Sequence, residues 1–396
     1  MTGNGVLNAA YCRYNYNGIT GIYVHIPFCR RKCLYCDFVS FPGSEDTCDQ
    51  YVSALLKEID LAAASQPKHL IDTIYIGGGT PTVLPLGAIG RILKQIKSVF
   101  KVNPGAEVTV EANPETVTVR LLEELVIAGV NRISLGVQDF SDKILGAVGR
   151  TSSGSRAVQA IRDIAAAGID NLSIDLMFGL PGQTIDGLRQ NLELASQLGA
   201  KHISVYALTL ERGTPLKALV DAGAVVLPDE ETESAMYDAV IETMPRLGFI
   251  RYEISNYARP GFICRHNWKY WRFVPYLGLG AGAHSFAGGE RWQNTADLDT
   301  YLSLLAGGES PEISRERLSR ETAMFEFAML ALRTTEGLRL KSFLRTFGVE
   351  LTAVYGKTID RLKRQGLLAS GGDFVRLTET GMKFSNVVFR ALLPSG

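Results

Sequence analysis

The sequence predicts an α/β fold: an incomplete, TIM-like (β/α)6 barrel followed by a C-terminal, winged-helix-like α+β domain. Three observations lead to this prediction. Strand and helix patterns alternate six times between residues 21 and 210. The strand patterns are short and apolar, which is typical of parallel sheets that are covered on both faces. Six units are fewer than the eight that close a TIM barrel, so the predicted barrel is open.

The six units follow one another closely along the chain. Their strands are predicted at Gly21–Phe28, Thr73–Ile76, Glu107–Glu111, Arg132–Gln138, Leu172–Phe178 and His202–Leu210. The helices that join them are predicted at Thr47–Ala64, Leu86–Phe100, Val119–Ala128, Arg156–Ala167 and Thr184–Leu198. Gly129, Gly168 and Gly199 directly follow the last three helices. Glycine at this position commonly ends a helix, because it adopts the left-handed conformation without a steric penalty.

Composition excludes several classes of function. The 396 residues carry no formal net charge, and this argues against nucleic acid as the main partner. No apolar run is long enough to span a bilayer, so no direct membrane span is expected. The first twenty residues lack the apolar core of a signal peptide and are predicted to be a disordered or loosely docked tail. Six cysteines, three of them clustered, suit a reducing compartment, and we expect a cytoplasmic protein.

The clustered cysteines are the candidate metal ligands. Cys29, Cys33 and Cys36 are spaced C-x3-C-x2-C, with no fourth cysteine close by. A structural zinc site usually has four ligands, and an iron–sulfur cube also takes four thiolates. Three thiolates on one loop would hold three irons of a cube and leave the fourth iron open to a small-molecule ligand. A zinc loop and three free cysteines remain the alternatives at this point.

Polar residues and glycines fall at the ends of successive predicted strands. They are Tyr23 on the first strand, Gly78, Gly79 and Thr80 after the second, Glu111 on the third, Gln138 on the fourth and Asp175 within the fifth. Singly, each has a structural explanation, such as a tight turn or an ordinary strand-end carboxylate. Parallel α/β sheets bind ligands at the carboxyl ends of their strands, so their joint placement favours a binding site. A carboxylate inside an apolar strand is also costly to bury without a partner.

At the cysteine loop the sequence resembles the radical S-adenosylmethionine (SAM) superfamily. The segments Gly77-Gly-Gly-Thr-Pro81, Gly136-Val-Gln-Asp-Phe140 and Asp175-Leu-Met-Phe-Gly-Leu-Pro-Gly182 look like its coproporphyrinogen III oxidase-like branch. The resemblance implies a [4Fe–4S] cluster on the three cysteines, with SAM on the open iron. It also implies a SAM pocket formed by Tyr23, Gly78, Gly79, Thr80, Glu111, Gln138, Arg150 and Asp175. In that pocket Glu111 is expected to meet the amino group, Arg150 the carboxylate and Asp175 the ribose. Family members often carry a histidine just after the Gly-Arg pair, where this chain has Thr151.

A second motif lies far downstream, at His266-Asn-x-x-Tyr270-Trp271. Histidine and aromatic side chains suit a planar ligand such as haem. On composition alone, however, an aromatic core segment with one hydrogen-bonded histidine is the better interpretation. The segment is similar to the HNxxYW motif of the HemW family of haem chaperones, and this resemblance implies that His266 contacts haem.

The C-terminal segment predicts a separate architecture. From residue 319 onward the pattern is three helices, a β-hairpin over residues 367–377 that turns at Gly371-Gly372, and a last helix. We therefore expect a tail over residues 1–20, a radical-SAM-type partial barrel with the haem-motif extension over 21–290, and a HemN-like C-terminal domain over 291–396.

Two functions from different classes compete. One is a haem chaperone that transfers haem to acceptor haem proteins, with a homodimer as a possible state. The other is oxygen-independent coproporphyrinogen III oxidase, and a radical haem-modifying enzyme is a third possibility. The oxidases carry a fourth cysteine where this chain has Phe38, and they have a longer segment before the loop than the 28 residues that precede Cys29. Together with the HNxxYW motif, these differences favour the chaperone. No catalytic residue is assigned, and whether the protein turns over SAM stays open.

Overall fold

The computed structural model describes residues 20–65 and 70–394. The predicted N-terminal tail lies outside these residues, apart from Thr20. A mixed twelve-stranded sheet forms the larger part of the molecule, and its centre consists of six parallel strands. These strands are β1 (Gly21–Ile26), β2 (Leu70–Gly78), β3 (Lys101–Ala112), β4 (Arg132–Gln138), β5 (Asn171–Phe178) and β6 (His202–Ala207). They pair in sequential order, as the alternating pattern predicts.

Helices join the parallel strands and cover one face of the sheet. They are α1 (Glu45–Ser65), α2 (Ala88–Val99), α3 (Val119–Ala128), α4 (Asp142–Ala147), α5 (Gly154–Ala166) and α6 (Ile185–Gln197). Thr118, Ser153 and Thr184 begin α3, α5 and α6, because each side chain accepts a hydrogen bond from a backbone amide in the first turn. Gly129 ends α3 with a φ of 86°. Helix α4 has no counterpart among the predicted helices.

Further strands extend the sheet at both edges. They are β7 (Ile250–Arg251), β8 (Asn256–Ala258), β9 (Tyr276–Leu279), β10 (His284–Ala287), β11 (Glu290–Asn294) and β12 (Glu312–Arg317). Strand β9 pairs parallel to β1, β10 to β12 continue antiparallel from it, and β8 pairs antiparallel to β6. In the described residues β7 and β12 are the two edges of the sheet. The barrel is therefore open, which confirms the predicted fold class.

Four helices accompany these later strands: α7 (Pro215–Asp221), α8 (Glu230–Arg246), α9 (Arg265–Trp271) and α10 (Leu298–Ala306). The sheet continues past residue 290, where the sequence-based division placed the domain boundary, and its last strand ends at Arg317.

The two faces of the parallel strands differ in chemistry. Successive side chains of a strand point to opposite faces, and the apolar ones pack against the helices in one continuous core. That core includes Val24, Ile74, Ile76, Val108, Val110, Ile133, Leu135 and Ile174. Burial of each such side chain contributes about 1.5–3 kcal/mol. The alternate positions carry Thr73, Tyr75, Glu107, Thr109, Glu111, Arg132, Ser134, Ser173, Asp175 and Ser204. The face opposite the helices is consequently polar.

The C-terminal segment forms a smaller unit with its own core and a three-stranded sheet in the order β13–β15–β14. Its elements are α11 (Arg320–Leu332), β13 (Leu338–Arg339), α12 (Leu340–Phe347), α13 (Leu351–Arg364), β14 (Leu368–Gly371), β15 (Phe374–Leu377), α14 (Glu379–Lys383) and α15 (Ser385–Leu392). The hairpin turns at Gly372, with a φ of 58°, and Asp373. Three helices and this hairpin form the expected winged-helix-like domain, and β13 completes its sheet. Nowhere in residues 20–65 or 70–394 does a helix have the length and apolar character to cross a membrane.

Candidate functional site

A cavity of about 540 Å³ lies at the carboxyl ends of the parallel strands, beside the cysteine loop. It brings together most of the residues that the sequence predicted for the site. The predicted residues that line it are Cys29, Cys33, Cys36, Gly78, Gly79, Thr80, Glu111, Gln138, Arg150 and Asp175. Two predicted residues, Tyr23 and His266, do not line the cavity.

Backbone contacts hold the cysteine loop against the end of β2. The Cys29 amide donates to Phe41 O at 3.0 Å, and the Thr80 amide donates to Phe28 O at 2.7 Å. A Cβ atom on Gly79 would lie only 2.5 Å from Phe28 O. Glycine at position 79 therefore lets β2 approach the loop backbone itself.

Two side chains reach the cysteine sulfurs. Thr80 Oγ1 lies 3.5 Å from Cys29 Sγ, and Arg150 Nη1 lies 3.8 Å from Cys33 Sγ. Burial raises the pKa of the Cys29 and Cys36 thiols. A cation at the loop opposes this trend by favouring thiolates. Arg150 is held in turn by Asn113, whose Oδ1 accepts from Nη2 at 3.0 Å and whose Nδ2 donates to Thr80 Oγ1 at 2.9 Å.

Both carboxylate oxygens of Glu111 are fixed by hydrogen bonds. The Tyr75 hydroxyl donates to Oε1 at 2.6 Å, and the Gly78 amide donates to Oε2 at 3.1 Å. Burial raises the pKa of Glu111 to about 7, against the lowering effect of the Tyr75 hydrogen bond. Nearby Asp175 raises this pKa further and Arg132 lowers it. Glu111 is therefore oriented, and its pKa is close to neutrality.

The other end of the cavity is lined by Gln138 and Asp175. Gln138 has a φ of 67°, a left-handed conformation that side chains other than glycine rarely adopt. The register between β4 and β5 shifts between Gly136 and Gln138, so β4 has a bulge at the edge of the cavity. Asp175 accepts hydrogen bonds from Ser134 Oγ at 3.1 Å and from Ser173 Oγ at 3.4 Å. Burial raises the pKa of Asp175, and the Ser204 hydroxyl and Arg132 lower it.

The cavity also contains residues that the sequence analysis missed. They include Tyr75, Asn113, Arg132, Ser134, Ser204, Tyr206 and Asn267. Arg132 is only 1% exposed, and its Nε and Nη1 have no hydrogen-bond partner among the described residues. The signal that could have found most of these residues is the alternation of polar and apolar residues along the strands, as in Arg132-x-Ser134 and Ser204-x-Tyr206.

His266 lies in α9 and does not line the cavity. The ring is fully buried, with Nδ1 2.9 Å from Thr73 Oγ1 and Nε2 2.8 Å from the Tyr270 hydroxyl. Burial, with smaller contributions from nearby Lys269 and Arg132, lowers the pKa of His266 to about 3, so the imidazole is neutral. Both ring nitrogens of His266 are therefore engaged with side chains of the protein itself. The residue of this motif that does line the cavity is Asn267.

Helix α9 covers the amino ends of the parallel strands. The backbone amides of Arg265 and His266 both donate to the Glu107 carboxylate, each at 2.9 Å. A carboxylate at a helix N-terminus is favourable because it satisfies amides that have no partner within the helix. Of the residues in α9, Asn267 reaches the lining of the cavity.

Comparisons with known proteins match both parts of the chain. The model of the Radical SAM superfamily matches residues 23–195, and that of the HemN C-terminal domain matches residues 318–384. A relative from Bacillus subtilis, named heme chaperone HemW, is 37% identical over 94% of this chain and 98% of its own length. The protein of the same name from Escherichia coli is 34% identical, over 94% of this chain and 97% of its own. This chain belongs to the HemW family.

A solved structure shows how this HemW-family protein relates to the oxidases. Coproporphyrinogen III oxidase (HemN) from Escherichia coli matches with a TM-score of 0.83, over 96% of this chain and 91% of that chain. The identity is 22%, so the likeness concerns the fold alone. Membership of the radical SAM superfamily implies a [4Fe–4S] cluster and SAM.

The residues of the HemW-family site fit both groups. Three thiols on one loop face one cavity, and Arg150 places a guanidinium beside them. Within the described residues no three His, Cys, Asp or Glu side chains converge as they would around a single metal ion. A cube needs no such convergence, because each thiolate binds a different iron. The oriented carboxylates of Glu111 and Asp175 suit the amino and hydroxyl donors of a nucleoside–amino acid conjugate.

Proposed function

We propose that this protein is a haem chaperone that binds haem, a [4Fe–4S] cluster and SAM, and passes haem to acceptor haem proteins. The observation that carries the proposal is the extent of the similarity. Relatives named heme chaperone HemW align with nearly the whole chain, and the Bacillus subtilis protein is itself covered over 98% of its length. Phe38 in place of a fourth loop cysteine supports this function over coproporphyrinogen oxidation.

In this proposal the chain's own residues hold the cluster and orient SAM. Cys29, Cys33 and Cys36 ligate three irons. Arg150 receives the SAM carboxylate, Glu111 the amino group and Asp175 the ribose hydroxyls. When bound, the cluster supplies an electron that can cleave SAM.

The remaining predicted pocket residues have supporting roles in the proposal. Gly78 orients Glu111 through its amide, Thr80 contacts Cys29, and Gly79 allows the loop to pack closely. Gln138 lines the cavity, and Tyr23 acts from behind it through its stack on Tyr75.

Haem contact at His266 requires a change in the motif helix. The ring would have to leave Thr73 and Tyr270 before either nitrogen could bind iron. We place the domain boundary between Arg317 and Leu318, where the large sheet ends and the match to the HemN C-terminal domain begins. The proposed setting is the cytoplasm, without a nucleic-acid partner.

The test is a paired assay on protein with an anaerobically reconstituted cluster. Haem-loaded protein is mixed with an apo-haem protein, and transfer is followed by the haem absorption of the acceptor. The same preparation is incubated with coproporphyrinogen III, SAM and a reductant, and decarboxylated products are measured. We expect transfer without decarboxylation. If coproporphyrinogen III is decarboxylated and no haem is transferred, the protein is an oxidase and not a chaperone.

Cysteine variants test the cluster in the same preparations. Cys29→Ala, Cys33→Ala and Cys36→Ala are each expected to lose the cluster absorption and most of the bound iron. Cys48→Ala is the matched control, because Cys48 is a buried free cysteine in α1, outside the cavity lining. Equal iron in all four variants would contradict the assignment of the ligands.

A further inference from the structure

Three aromatic rings connect the HNxxYW helix with the SAM pocket. The Tyr75 ring stacks with His266, at a centroid distance of 5.2 Å, and with Tyr23, at 6.2 Å. The interplanar angle is 29° in both pairs. Tyr75 is the residue whose hydroxyl donates to Glu111. The stack thus sets the position of a hydroxyl that fixes a proposed SAM ligand.

His266 is the rigid end of this stack. Its two nitrogens are bonded to Thr73 in β2 and to Tyr270 one turn further along α9. Rotation of the imidazole would break both bonds in a fully buried site, where an unpaired polar group costs about 1–3 kcal/mol. The ring therefore offers Tyr75 a fixed surface to stack on.

The other end of the stack reaches the cysteine loop. The Tyr23 hydroxyl lies 3.0 Å from His25 Nδ1, and His25 Nε2 donates to Val39 O at 3.0 Å. Burial lowers the pKa of His25, which favours the neutral ring that this pair of bonds requires. Val39 lies shortly after the last cysteine of the loop. One contiguous set of contacts thus runs from α9 to both the Glu111 carboxylate and the cysteine loop.

We propose that His266 is a positioning residue for the SAM pocket, which fixes Tyr75 and, through the Tyr75 hydroxyl, the carboxylate of Glu111. The motif that resembles a haem-binding sequence thereby acts on SAM binding. Because linkage is reciprocal, SAM binding also favours the position of His266 in which it is bonded to Thr73 and Tyr270. The inference rests on the SAM pocket of the proposed function and not on haem transfer.

The test is a double-mutant cycle on cluster-bearing protein without haem, read out as SAM affinity. Tyr75→Phe keeps the stacked ring and removes the hydroxyl, so we expect about a tenfold loss of affinity. His266→Ala is expected to cost about the same. The double variant should bind SAM as tightly as the single variant with the lower affinity. Without the Tyr75 hydroxyl there is nothing left for His266 to position, so the two losses do not add.

His202→Ala is the matched control for the cycle. His202 is also fully buried on the polar face, with Nδ1 2.8 Å from Ser173 Oγ and Nε2 2.8 Å from the Tyr252 hydroxyl. It packs on Tyr252 and not on Tyr75. Any effect of His202→Ala should therefore add to that of Tyr75→Phe. Should His266→Ala lose its iron, His266→Gln takes its place in the cycle with the same expectation.

A pH profile distinguishes positioning from a general loss of packing. Glu111 faces Tyr75 and Gly78 from β2, Asp175 from β5 and Arg132 from β4. Loss of the Tyr75 hydrogen bond raises the pKa of Glu111, so SAM binding by His266→Ala should require a higher pH than binding by wild type.

Unchanged SAM affinity of an iron-replete His266 variant, or additive effects with Tyr75→Phe, would overturn the inference. If wild-type protein binds no SAM, both this inference and the proposed SAM pocket are wrong. If the double-mutant cycle gives the expected result but the protein does not transfer haem, only the proposed chaperone function is wrong.

Discussion

Arg150 lies beside Cys33, with Nη1 3.8 Å from the sulfur, and its Nη2 is anchored by the Asn113 side chain. The guanidinium thus has one nitrogen fixed by the fold and another directed at the cysteine loop. A planar guanidinium with five donors can meet both partners and still present a fork to a carboxylate, whereas the ammonium of lysine has three donors and no such fork. This arrangement supports the proposed contact between Arg150 and the SAM carboxylate.

Replacement of Arg150 by methionine should weaken SAM binding about tenfold to a hundredfold, because a charge-assisted hydrogen bond is lost. Arg150→Lys should recover only part of the affinity. Iron content should stay near that of wild type, since the cysteines remain. SAM affinity is measured by equilibrium binding to the reconstituted protein. The control is Arg189→Met in α6, where the arginine pairs with Asp186 on the surface. If both methionine variants bind SAM alike, Arg150 has no role in the pocket.

SAM affinity should fall as the pH is lowered through about 7. Burial raises the pKa of Glu111 to about 7, and only its ionised form accepts a hydrogen bond from the amino group through either oxygen. Glu111→Gln should bind SAM more weakly and should lose this part of the pH dependence. Affinities measured between pH 6 and 8.5 compare the two proteins. The SAM amino group itself titrates near pH 8, and the difference between the profiles removes that contribution. Parallel profiles would show that Glu111 does not titrate in this range.

The cysteine loop and the strand-end residues could be predicted because their signals are local. Thiolate spacing is visible in eight consecutive residues, and a polar residue that directly follows an apolar strand marks the binding edge of a parallel sheet. Arg132 was missed although its signal is also local. It begins a strand whose next inward residue is Ser134, and this alternation predicts an inward-facing polar side chain.

The position of His266 could not be predicted, because its partners are far away in the sequence. Thr73, which bonds its Nδ1, lies 193 residues earlier. In the fold the ring packs against Thr73 and Tyr75 of β2 and against Tyr270 of its own helix. Strand β9 presents the same difficulty: four residues pair with β1 through contacts that no local periodicity reveals.

Glu58 should make the folded protein less stable as the pH rises from about 4.3 to 7. It is buried in α1, where it accepts hydrogen bonds from Tyr301, Asn294 and Gly280, and burial raises its pKa to about 7. The folded state therefore binds this proton more tightly than the unfolded state, whose glutamate has a pKa of about 4.3. The stability that it contributes is present below about pH 4.3 and is lost as the pH rises through 7.

The variant Glu58→Gln should lack that part of the pH dependence. Between pH 5 and 7.5 the midpoint of thermal unfolding should fall less in this variant than in wild type. The difference should correspond to about 1 kcal/mol or more in the free energy of unfolding. Glu230→Gln is the control, because Glu230 is an exposed residue at the start of α8. Its unfolding midpoint should depend on pH as that of wild type does. The same slope in all three proteins would mean that Glu58 is ionised throughout the range.

Gly79→Ala should disturb the cysteine loop from outside it. The added Cβ would lie 2.5 Å from Phe28 O, a backbone atom that cannot rotate away. Overpacking of this kind typically costs about 1–3 kcal/mol, and relief would require Phe28 and the adjoining Cys29 to shift. We expect a lower midpoint of thermal unfolding and incomplete cluster incorporation, measured as iron per chain.

Gly90→Ala in α2 is the matched control: its nearest neighbour is the end of the Glu124 side chain at 3.7 Å, and alanine favours the helix by about 0.5–1 kcal/mol. Full cluster content in Gly79→Ala would show that the loop tolerates displacement of Phe28, and the close approach of β2 would then have no role in holding the cysteines.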